Sequence, residues 1–396
     1  MKRLLAVLGC MLLSATLARA DTIRLGASLQ LTGPLAGIAR YYRDGYELAV
    51  DRVNAAGGVK MGGKVYQFEL RMLDNQSDVN LSVRQYVQLI TQDNIAILLG
   101  PYASDYVLAD SSVAEKYELP MIQGGGASDQ IFSRGYKYGF GVLPVASRYF
   151  SSTVEAMPKL TPAPKTVALL FADDAFDTAV ANGTRKLVVQ HGMQLVLDER
   201  YSNNATDFSS LLARIKSVQP DAVLVAGHET EILNFIRQAK SLNVNPKLYA
   251  FTVGVQSDDF RRALGPDADY AFGMTSWLPI ASAKDPYFGD GAAFAEAYKK
   301  RFGYDADYHG AAAAAVVECY AKALEAAGTT EPKALRAAIA KLDFASQLGR
   351  IRFNEVGQID LPQTLVQVQK GKLVPVYGDT GFMNKPLYPM PEWKQR

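Results

Sequence analysis

Cysteine and histidine are scarce in this sequence. Its 396 residues include two cysteines, Cys10 and Cys319, and three histidines, His191, His228 and His309. Cys10 lies in an N-terminal leader, so Cys319 has no partner for an intramolecular disulfide and is expected to be a small buried apolar side chain. Scattered histidines and one cysteine do not make the clustered ligand set that a metal site needs. The sequence therefore predicts neither a disulfide framework nor a bound metal.

The sequence also lacks an excess of charge of either sign. It has 42 basic and 40 acidic residues, for a formal charge of +2. Residues 1–20 carry three basic residues and no acidic one, so their removal turns the formal charge into −1. Binding to nucleic acid or to an anionic membrane needs a concentrated basic surface. The charge balance therefore argues against both of these partners.

No apolar run is long enough to cross a membrane, because a spanning helix needs about 20 apolar residues. The apolar run over residues 4–17 follows two basic residues and precedes Ala-Arg-Ala at residues 18–20, which is the pattern of a secretory signal. We therefore predict that residues 1–20 are a cleaved signal peptide and that the mature protein is exported. The alternative is lipoprotein processing, because the four residues that end at Cys10 loosely resemble a lipoprotein cleavage box.

Sequence motifs of common enzymes are incomplete. Residues 58–64 have the glycine and lysine spacing of a phosphate loop, but Val65 follows where magnesium binding needs a hydroxyl, so we interpret this segment as a hairpin-like turn. His228 and Glu229 begin a zinc-protease pattern, yet Ile232 stands where the second histidine is needed. The glycine-flanked serine of α/β hydrolases is not present either. We therefore predict a binding protein with no catalytic residue and no cofactor.

Strand and helix patterns alternate along the mature chain. A first series of strands and helices ends at the proline-rich residues 161–164, and a second series follows. This organisation predicts two doubly wound α/β lobes with parallel sheets and a ligand cleft between them. The predicted strands cover residues 22–29, 66–73, 95–99, 119–122, 138–142, 166–171, 194–200, 222–226 and 247–251, and three short strands follow near the C-terminus at residues 351–353, 364–369 and 373–376, the last two joined by a turn at Lys370-Gly371. The predicted helices include residues 39–56, 78–92, 147–160, 175–191, 207–218, 230–242, 286–302, 310–327 and 332–341.

Two neighbouring predicted strands end in small and hydroxyl residues. The strand over residues 95–99 leads to Ser104, and the strand over residues 119–122 leads to a glycine-rich run at residues 124–128. Because the carboxyl ends of parallel strands meet at one edge of a sheet, we expect both loops to face the same small ligand. Glycine lets the backbone approach a ligand closely, and unpaired N–H groups favour a carboxylate. The alternative is that the glycine run is only a tight turn.

Several short motifs follow one another in a characteristic order, namely Thr32-Gly33-Pro34, Asn54 to Val59, Asp74, Gly100 with Ser104, Asp207-Phe208, and Gly349 with Phe353, Asn354 and Gly357. By the order and spacing of these motifs, the whole mature chain resembles the leucine/isoleucine/valine-binding family of periplasmic solute receptors. The resemblance implies a type I periplasmic binding fold, in which three crossover segments join two lobes that close on a ligand. By this resemblance, residues 21–145 form the first lobe, completed by 278–349, and residues 146–277 form the second, completed by 350–396.

The resemblance also implies a function. Proteins of this family are periplasmic receptors that deliver amino acids or related small carboxylates to the permease of an ABC importer, and we expect the same of this chain as a monomer. Aromatic and keto acids are included among the expected ligands. The alternative is an exported ligand sensor, or an amide- or urea-type binding protein of the same fold.

We name nine residues as the candidate ligand site. By the resemblance, the side that binds the ligand carboxylate falls on Ser104 and on the backbone of Gly125 and Ala127, with Ser128 supplying the hydroxyl that the family usually has at position 127. The side that binds an ammonium group falls on Phe176, His228 and Val253, and Tyr102 and Gly126 complete the site. The second side departs from the family, because Val253 replaces a usual acid and Phe176 and His228 replace tyrosines. A buried ammonium needs an anionic partner, so these departures predict carboxylates without an α-amine as ligands. The alternative is a misalignment, with the acidic role taken by Glu229 or Asp258.

Aromatic residues crowd the same predicted edges. Aromatic walls favour flat apolar ligands through offset or edge-on contacts. The aromatic residues concerned are Tyr41, Tyr42, Tyr102, Tyr106, Phe176 and Trp277.

Overall fold

The computed structural model describes residues 21–280 and 284–396. The predicted signal peptide at residues 1–20 therefore lies outside the described residues. Among the residues described, no helix has both the length and the apolar composition that a membrane crossing requires. These residues form two large sheets, each with helices packed on it, and one small two-stranded sheet. The predicted α/β class with two sheets is confirmed.

The first sheet has six strands in the order β2-β3-β1-β4-β5-β6. They are β1 (Asp21–Leu29), β2 (Val59–Met61), β3 (Lys64–Asp74), β4 (Ile97–Leu99), β5 (Met121–Gln123) and β6 (Gly139–Gly141). All neighbours are parallel except β2, which forms an antiparallel hairpin with β3. Gly62 and Gly63 connect this hairpin, both with positive φ, as a two-residue turn of this kind requires. Residues 58–64 are thus the hairpin turn that the sequence predicts.

Helices from two parts of the chain accompany the first sheet. The earlier ones are α1 (Ala36–Ala55), α2 (Val79–Thr91), α3 (Ser104–Lys116) and α4 (Asp129–Ser133). Gly45 of α1 meets α11 (Tyr308–Ala327) so closely that a Cβ there would lie 2.5 Å from the Gly310 carbonyl oxygen. This close crossing, together with the buried alanines at residues 311–315, fixes α11 against α1. The later helices are α10 (Gly291–Phe302), α11 (Tyr308–Ala327) and α12 (Pro332–Ile339).

The second sheet has eight strands in the order β16-β15-β14-β11-β10-β9-β7-β8. Its parallel strands are β7 (Thr166–Ala172), β8 (Gln194–Tyr201), β9 (Ala222–Ala226), β10 (Leu248–Phe251) and β11 (Phe272–Thr275). The antiparallel strands are β14 (Thr364–Gln369), β15 (Lys372–Gly378) and β16 (Gly381–Phe382). Its helices are α5 (Ser151–Ala156), α6 (Ala175–Gln190), α7 (Ser209–Val218), α8 (Glu229–Ser241) and α9 (Asp258–Leu264). The sheet is therefore mixed, with its parallel strands running from β11 to the edge strand β8 and its antiparallel strands on the other side.

The composition of the strands explains their position. All five residues of β9, Ala-Val-Leu-Val-Ala, are buried. An uninterrupted apolar strand is typical of a parallel sheet that has helices on both faces. Two of the helices start where a polar side chain accepts an N–H group: Asp174 accepts the Asp177 N–H at 2.8 Å before α6, and the Ser257 hydroxyl accepts the Phe260 N–H at 3.0 Å before α9. This arrangement puts polar side chains at the carboxyl edge of the sheet.

The chain passes three times between the two large sheets, after β6, after β11 and before β14. Strands β12 (Asp343–Ser346) and β13 (Gly349–Arg352) form the small sheet before the last passage. Beyond them, the Gly357 carbonyl accepts the Gly141 N–H at 2.8 Å, so this segment still contacts the first sheet. The limits of the two lobes stay a prediction, and this contact favours a last crossing closer to β14 than residue 350.

Two predicted helices differ from the structure, and one of them, predicted over residues 286–302, begins only at Gly291. Residues 147–160 do not form a single helix, because a 3-10 turn at Ala146–Arg148 precedes α5 and another at Met157–Lys159 follows it. Pro158 has no backbone N–H, so it cannot continue the hydrogen bonding of α5. The sequence pattern predicted helical structure over residues 147–160 but not these interruptions.

Candidate functional site

The two sheets place a small cavity between them, which we call the inner pocket. It has about 10 Å³ open to a water-sized sphere, which is room for about one water molecule. Seven of the nine predicted site residues line it, and Gly126 and Ser128 do not. The full lining is Tyr42, Tyr102, Ala103, Ser104, Gly125, Ala127, Leu143, Tyr149, Phe176, His228, Val253, Tyr308 and His309.

Ser104 lies at the first turn of α3 and faces the glycine-rich run. Its Oγ accepts the N–H groups of Ala127 at 3.1 Å and Ser128 at 3.0 Å. The two preceding N–H groups, of Gly125 and Gly126, donate to Gln123 Oε1. The backbone donors of this run are therefore satisfied by the chain itself. Because Ser104 Oγ accepts both N–H groups, its own O–H remains a donor for a ligand.

The glycine at position 125 is required by close packing of two loops. A Cβ there would lie 2.1 Å from the Pro101 carbonyl oxygen. The glycine run and the loop before α3 therefore contact each other through backbone, which holds Ser104 against Ala127. Ser128 Oγ is buried and has no hydrogen-bond partner among the described residues.

His228 occupies the opposite wall of the inner pocket, where β9 ends and α8 begins. Its Nδ1 lies 2.9 Å from the Tyr102 hydroxyl, and its Nε2 lies 3.1 Å from Asp174 Oδ2. Tyr102 follows β4 of the first sheet, so the histidine links the two halves of the cleft. Phe176 packs beside His228, with ring centres 5.9 Å apart, and edge-on against Tyr149 at 4.9 Å.

The surroundings of His228 favour its protonated form. Burial lowers the pKa of His228, but the hydrogen bond to Asp174 and the charges of Asp174, Glu231 and Asp105 outweigh burial and raise it to about 9. At neutral pH both ring nitrogens then carry protons, so Nδ1 must donate to the Tyr102 oxygen. The Tyr102 hydroxyl proton is consequently free to point elsewhere, including toward a ligand.

Asp174, Asp177 and His228 bring three potential metal-ligand atoms within 4.8 Å of one another. Burial alone would raise the pKa of Asp174, but the His228 hydrogen bond and charge hold it below its usual value. Burial and the Asp174 charge raise the pKa of Asp177 well above its usual value, so Asp177 is a neutral acid. One carboxylate, one neutral acid and one imidazolium balance in charge. The cluster is therefore explained as the group that orients His228.

Several residues of the inner pocket were not predicted. Tyr308 and His309 reach it from the start of α11, where Asp307 accepts a hydrogen bond from the His309 ring at 2.8 Å. No local sequence pattern indicates that Tyr308 and His309 lie near Ser104, because only the tertiary packing of α11 on α1 brings them there. Ala103, Leu143 and Tyr149 were missed as well. Of the aromatic residues named from the sequence, Tyr42, Tyr102 and Phe176 line the inner pocket, whereas Tyr41, Tyr106 and Trp277 do not.

A larger cavity of about 230 Å³, which we call the outer chamber, adjoins the inner pocket. Tyr102 and His228 line both spaces. Glu229 and Asp258 were named from the sequence as alternative ammonium partners. Glu229 lines the outer chamber but not the inner pocket. Asp258 lines neither of these two cavities and pairs with Arg261 at 3.0 Å. The other residues of the outer chamber are Pro34, Leu35, Gly37, Ile38, Asn204, Ala205, Thr206, Thr230 and Glu231.

Comparison with known proteins shows the family to which this chain belongs. The profile of the periplasmic binding protein family matches residues 22–372. The chain belongs to the periplasmic binding protein family. It is therefore a solute-binding protein and not an enzyme, as the sequence predicts.

The periplasmic binding proteins that are similar to this chain differ in their bound ligands. A Leu/Ile/Val-binding protein homolog 7 of Brucella melitensis is 27% identical, and the match covers 97% of this chain and 98% of the relative. The substrate-binding protein of a branched-chain amino acid transporter from Streptococcus pneumoniae, solved with isoleucine, has a TM-score of 0.80 and 23% identity over 89% of this chain and 98% of its own. A solute-binding protein from R. palustris, solved with benzoate, has a TM-score of 0.79 and 20% identity over 92% of this chain and 98% of its own.

Contacts across the cleft show how this periplasmic binding protein holds its two halves together. Besides Tyr102 and His228, Arg40 of α1 pairs with Asp259 of α9 at 2.6 Å. Asp105 Oδ1 of α3 also accepts the Ala175 N–H at the start of α6, at 3.2 Å. All three contacts surround the inner pocket and the outer chamber, so opening the cleft must break them.

Replacing Ser104 by alanine is expected to weaken ligand binding by about 1–3 kcal/mol, the effect of losing one hydrogen bond to a charged group. The substitution removes a hydroxyl donor from the pocket and the acceptor of two backbone N–H groups, so a lower melting temperature is also expected. Calorimetric titration of wild type and Ser104→Ala measures the first effect. Ser112→Ala, an equivalent change on the exposed face of α3, is the control. Equal affinities for wild type and Ser104→Ala would remove Ser104 from the binding site.

Proposed function

We propose that this protein is the periplasmic substrate-binding component of an ABC importer and that its ligand is a small carboxylate without an α-amine. The ligand binds between the two lobes, and the closed form delivers it to a membrane permease. Membership of the periplasmic binding protein family supports the general role. Branched-chain amino acids and benzoate, which relatives of similar fold bind, define the two ligand classes to be distinguished.

The observation that carries this choice is the lining of the inner pocket. Among its described residues there is no aspartate or glutamate. The positions that the resemblance assigns to ammonium partners hold Val253, Phe176 and His228. A desolvated ammonium would find no anion there, whereas a carboxylate would find the hydroxyl donors of Ser104 and Tyr102.

The nine predicted site residues remain our proposal for the ligand site, with different roles. Ser104 and Tyr102 donate hydrogen bonds to the carboxylate, and Gly125 and Ala127 form the backbone wall beside it. Gly126 and Ser128 support that wall from behind, since they do not line the inner pocket. Phe176 and Val253 provide the apolar side, and His228 fixes the hydroxyl of Tyr102.

A thermal-shift screen tests the proposed function. Benzoate, phenylpyruvate and ketoisocaproate are compared with isoleucine and urea, each at millimolar concentration and pH 7.5. A ligand at 100 times its dissociation constant should stabilise the fold by about 2.7 kcal/mol. Stabilisation by one or more of the amine-free carboxylates is expected. Stabilisation by isoleucine alone would contradict the ligand class, and stabilisation by urea alone would favour an amide-binding protein.

A further inference from the structure

The two adjoining cavities differ greatly in the size of group they can hold. The inner pocket has room for about one water molecule. The outer chamber, at about 230 Å³, exceeds the roughly 150 Å³ of an apolar cavity that is known to bind benzene. A carboxylate head can therefore lie at the mouth of the inner pocket, but a ring cannot enter it without moving its walls. Two larger cavities border the inner pocket: the outer chamber, and a cavity of about 220 Å³ that shares Ser104, Phe176 and His228 with it. Asp105 and Asp174 line that second cavity, so the outer chamber is the space that suits the apolar body of a carboxylate ligand.

The wall of the outer chamber is largely apolar on the side of the first lobe. Pro34, Leu35 and Ile38 contribute apolar side chains there, and Gly37 contributes none. Apolar walls with a few placed polar groups are typical of small-molecule sites. This wall therefore suits an aromatic or aliphatic body of about ring size.

Two acids, Glu229 and Glu231, line the outer chamber, but Glu231 already accepts the backbone N–H groups of Asn204 and His228. The Glu229 carboxylate is mostly buried, and one oxygen, Oε1, accepts a hydrogen bond from the Ser257 hydroxyl. The other oxygen, Oε2, lies 3.2 Å from the point that a Cβ of Gly37 would occupy. It accepts no hydrogen bond from the described residues. The absence of a side chain at Gly37 thus leaves Oε2 facing the outer chamber.

We propose that Glu229 is a specificity-determining residue, and that the ligand is a carboxylate whose apolar body carries a hydrogen-bond donor, such as a phenolic hydroxyl, at the end remote from the carboxylate. This inference rests on the proposed function and adds the chemical class of the ligand's far end. The carboxylate binds on the Ser104 side of Tyr102 and His228. The body occupies the outer chamber, and its hydroxyl donates to Glu229 Oε2.

Calorimetry with a matched pair of ligands tests the role of Glu229. The pair is 3-phenylpropionate and 3-(4-hydroxyphenyl)propionate, titrated at pH 8. The hydroxylated ligand is expected to bind wild type about tenfold more tightly, the effect of a hydrogen bond to a charged acceptor. In Glu229→Met, which keeps the length of the side chain, this advantage is expected to fall below about twofold while the unsubstituted ligand retains its affinity. Asp258→Asn, which removes a nearby acid outside the chamber, is the control and should retain the advantage.

Gly37→Ala tests the position of the body in the outer chamber. The added methyl group narrows the outer chamber, so both phenylpropionates should bind at least about fivefold more weakly, whereas pyruvate, which has no ring, should bind wild type and variant equally. An equal affinity of wild type for the two phenylpropionates, or an advantage of the hydroxyl that persists in Glu229→Met, would overturn the role of Glu229. Unchanged binding of the ring compounds to Gly37→Ala would overturn the position of the body. If none of these carboxylates binds wild type, the proposed function itself is wrong and this inference fails with it.

Discussion

Phenylpyruvate is expected to bind this protein at least about tenfold more tightly than phenylalanine, because an unpaired buried ammonium costs more than one hydrogen bond. The two ligands have the same ring and carboxylate and differ only in the group on the α-carbon. The ammonium of phenylalanine would lose its water near Val253 and Phe176 without gaining an anionic partner. A keto group loses less solvation and carries no charge. Calorimetric titration at pH 7.5 measures the difference.

A second ligand pair and one variant serve as controls for this prediction. Ketoisocaproate should bind more tightly than leucine by a similar ratio, since the two ligands differ by the same exchange of α-substituent on an aliphatic body. Val253→Glu returns an acid to the position where the family resemblance expects one, and it should narrow the ratio if the variant melts near the wild-type temperature. Tighter binding of phenylalanine by tenfold or more would mean that the departures at Val253, Phe176 and His228 do not determine the ligand class.

Affinity for a carboxylate is expected to be constant between pH 7.5 and 8.5 and to fall by about tenfold per pH unit above pH 9, as one required proton is lost. The proton concerned is that of His228, whose pKa is raised to about 9 by Asp174 after the opposing effect of burial. Protonated His228 donates to the Tyr102 oxygen and frees the Tyr102 hydroxyl for the ligand. Neutral His228 can accept that hydroxyl proton instead. Burial raises the pKa of Tyr102 well above its usual value, so Tyr102 does not titrate in this range.

The direction of the pH effect also applies to folding. Because the pKa of His228 is higher in the folded chain than the value of about 6.5 for a free histidine, its contribution to the free energy of unfolding is complete below about pH 6.5 and is lost as the pH rises through about 9. The pKa of Glu229 is raised to about 7 by burial, so Glu229 is largely ionised above pH 8 and does not account for a change near pH 9.

Asp174→Asn separates this explanation from a general effect of alkaline pH. Without the carboxylate, burial lowers the pKa of His228, and the decline in affinity should move to below neutral pH. Calorimetry at half-unit intervals from pH 6 to 10 measures both profiles. Identical profiles for wild type and Asp174→Asn, or an affinity that stays constant to pH 10, would show that protonated His228 has no role in binding.

The sequence predicted the features of the fold and site that depend on local pattern. Uninterrupted apolar strands such as residues 222–226 indicated a parallel sheet, and the α/β architecture of two sheets is confirmed. The meeting of Ser104 with Ala127 followed from one rule, that loops after neighbouring parallel strands share an edge. The hairpin of β14 and β15 was also predicted, because a Lys-Gly turn at residues 370–371 separates two short apolar segments, whereas β16 has only two residues and was not predicted.

The remaining features of the site depend on contacts between distant residues. The charge of His228 depends on Asp174, which is 54 positions earlier, so no local pattern around His228 indicates its protonation state. His309 and Tyr308 enter the inner pocket only because α11 packs closely on α1. The hydrogen bonds from Ala127 and Ser128 to Ser104 were also unforeseen, since the sequence suggested that these N–H groups await a ligand.

Mass spectrometry of the small molecule released from the purified, unheated protein tests the central claim most directly. The protein is expressed with its leader, recovered from the periplasm and denatured in organic solvent, and the supernatant is compared with that from a Ser104→Ala sample. The proposed function predicts a carboxylic acid without an amine, enriched in the wild-type sample. A branched-chain or other α-amino acid bound in stoichiometric amount would contradict it.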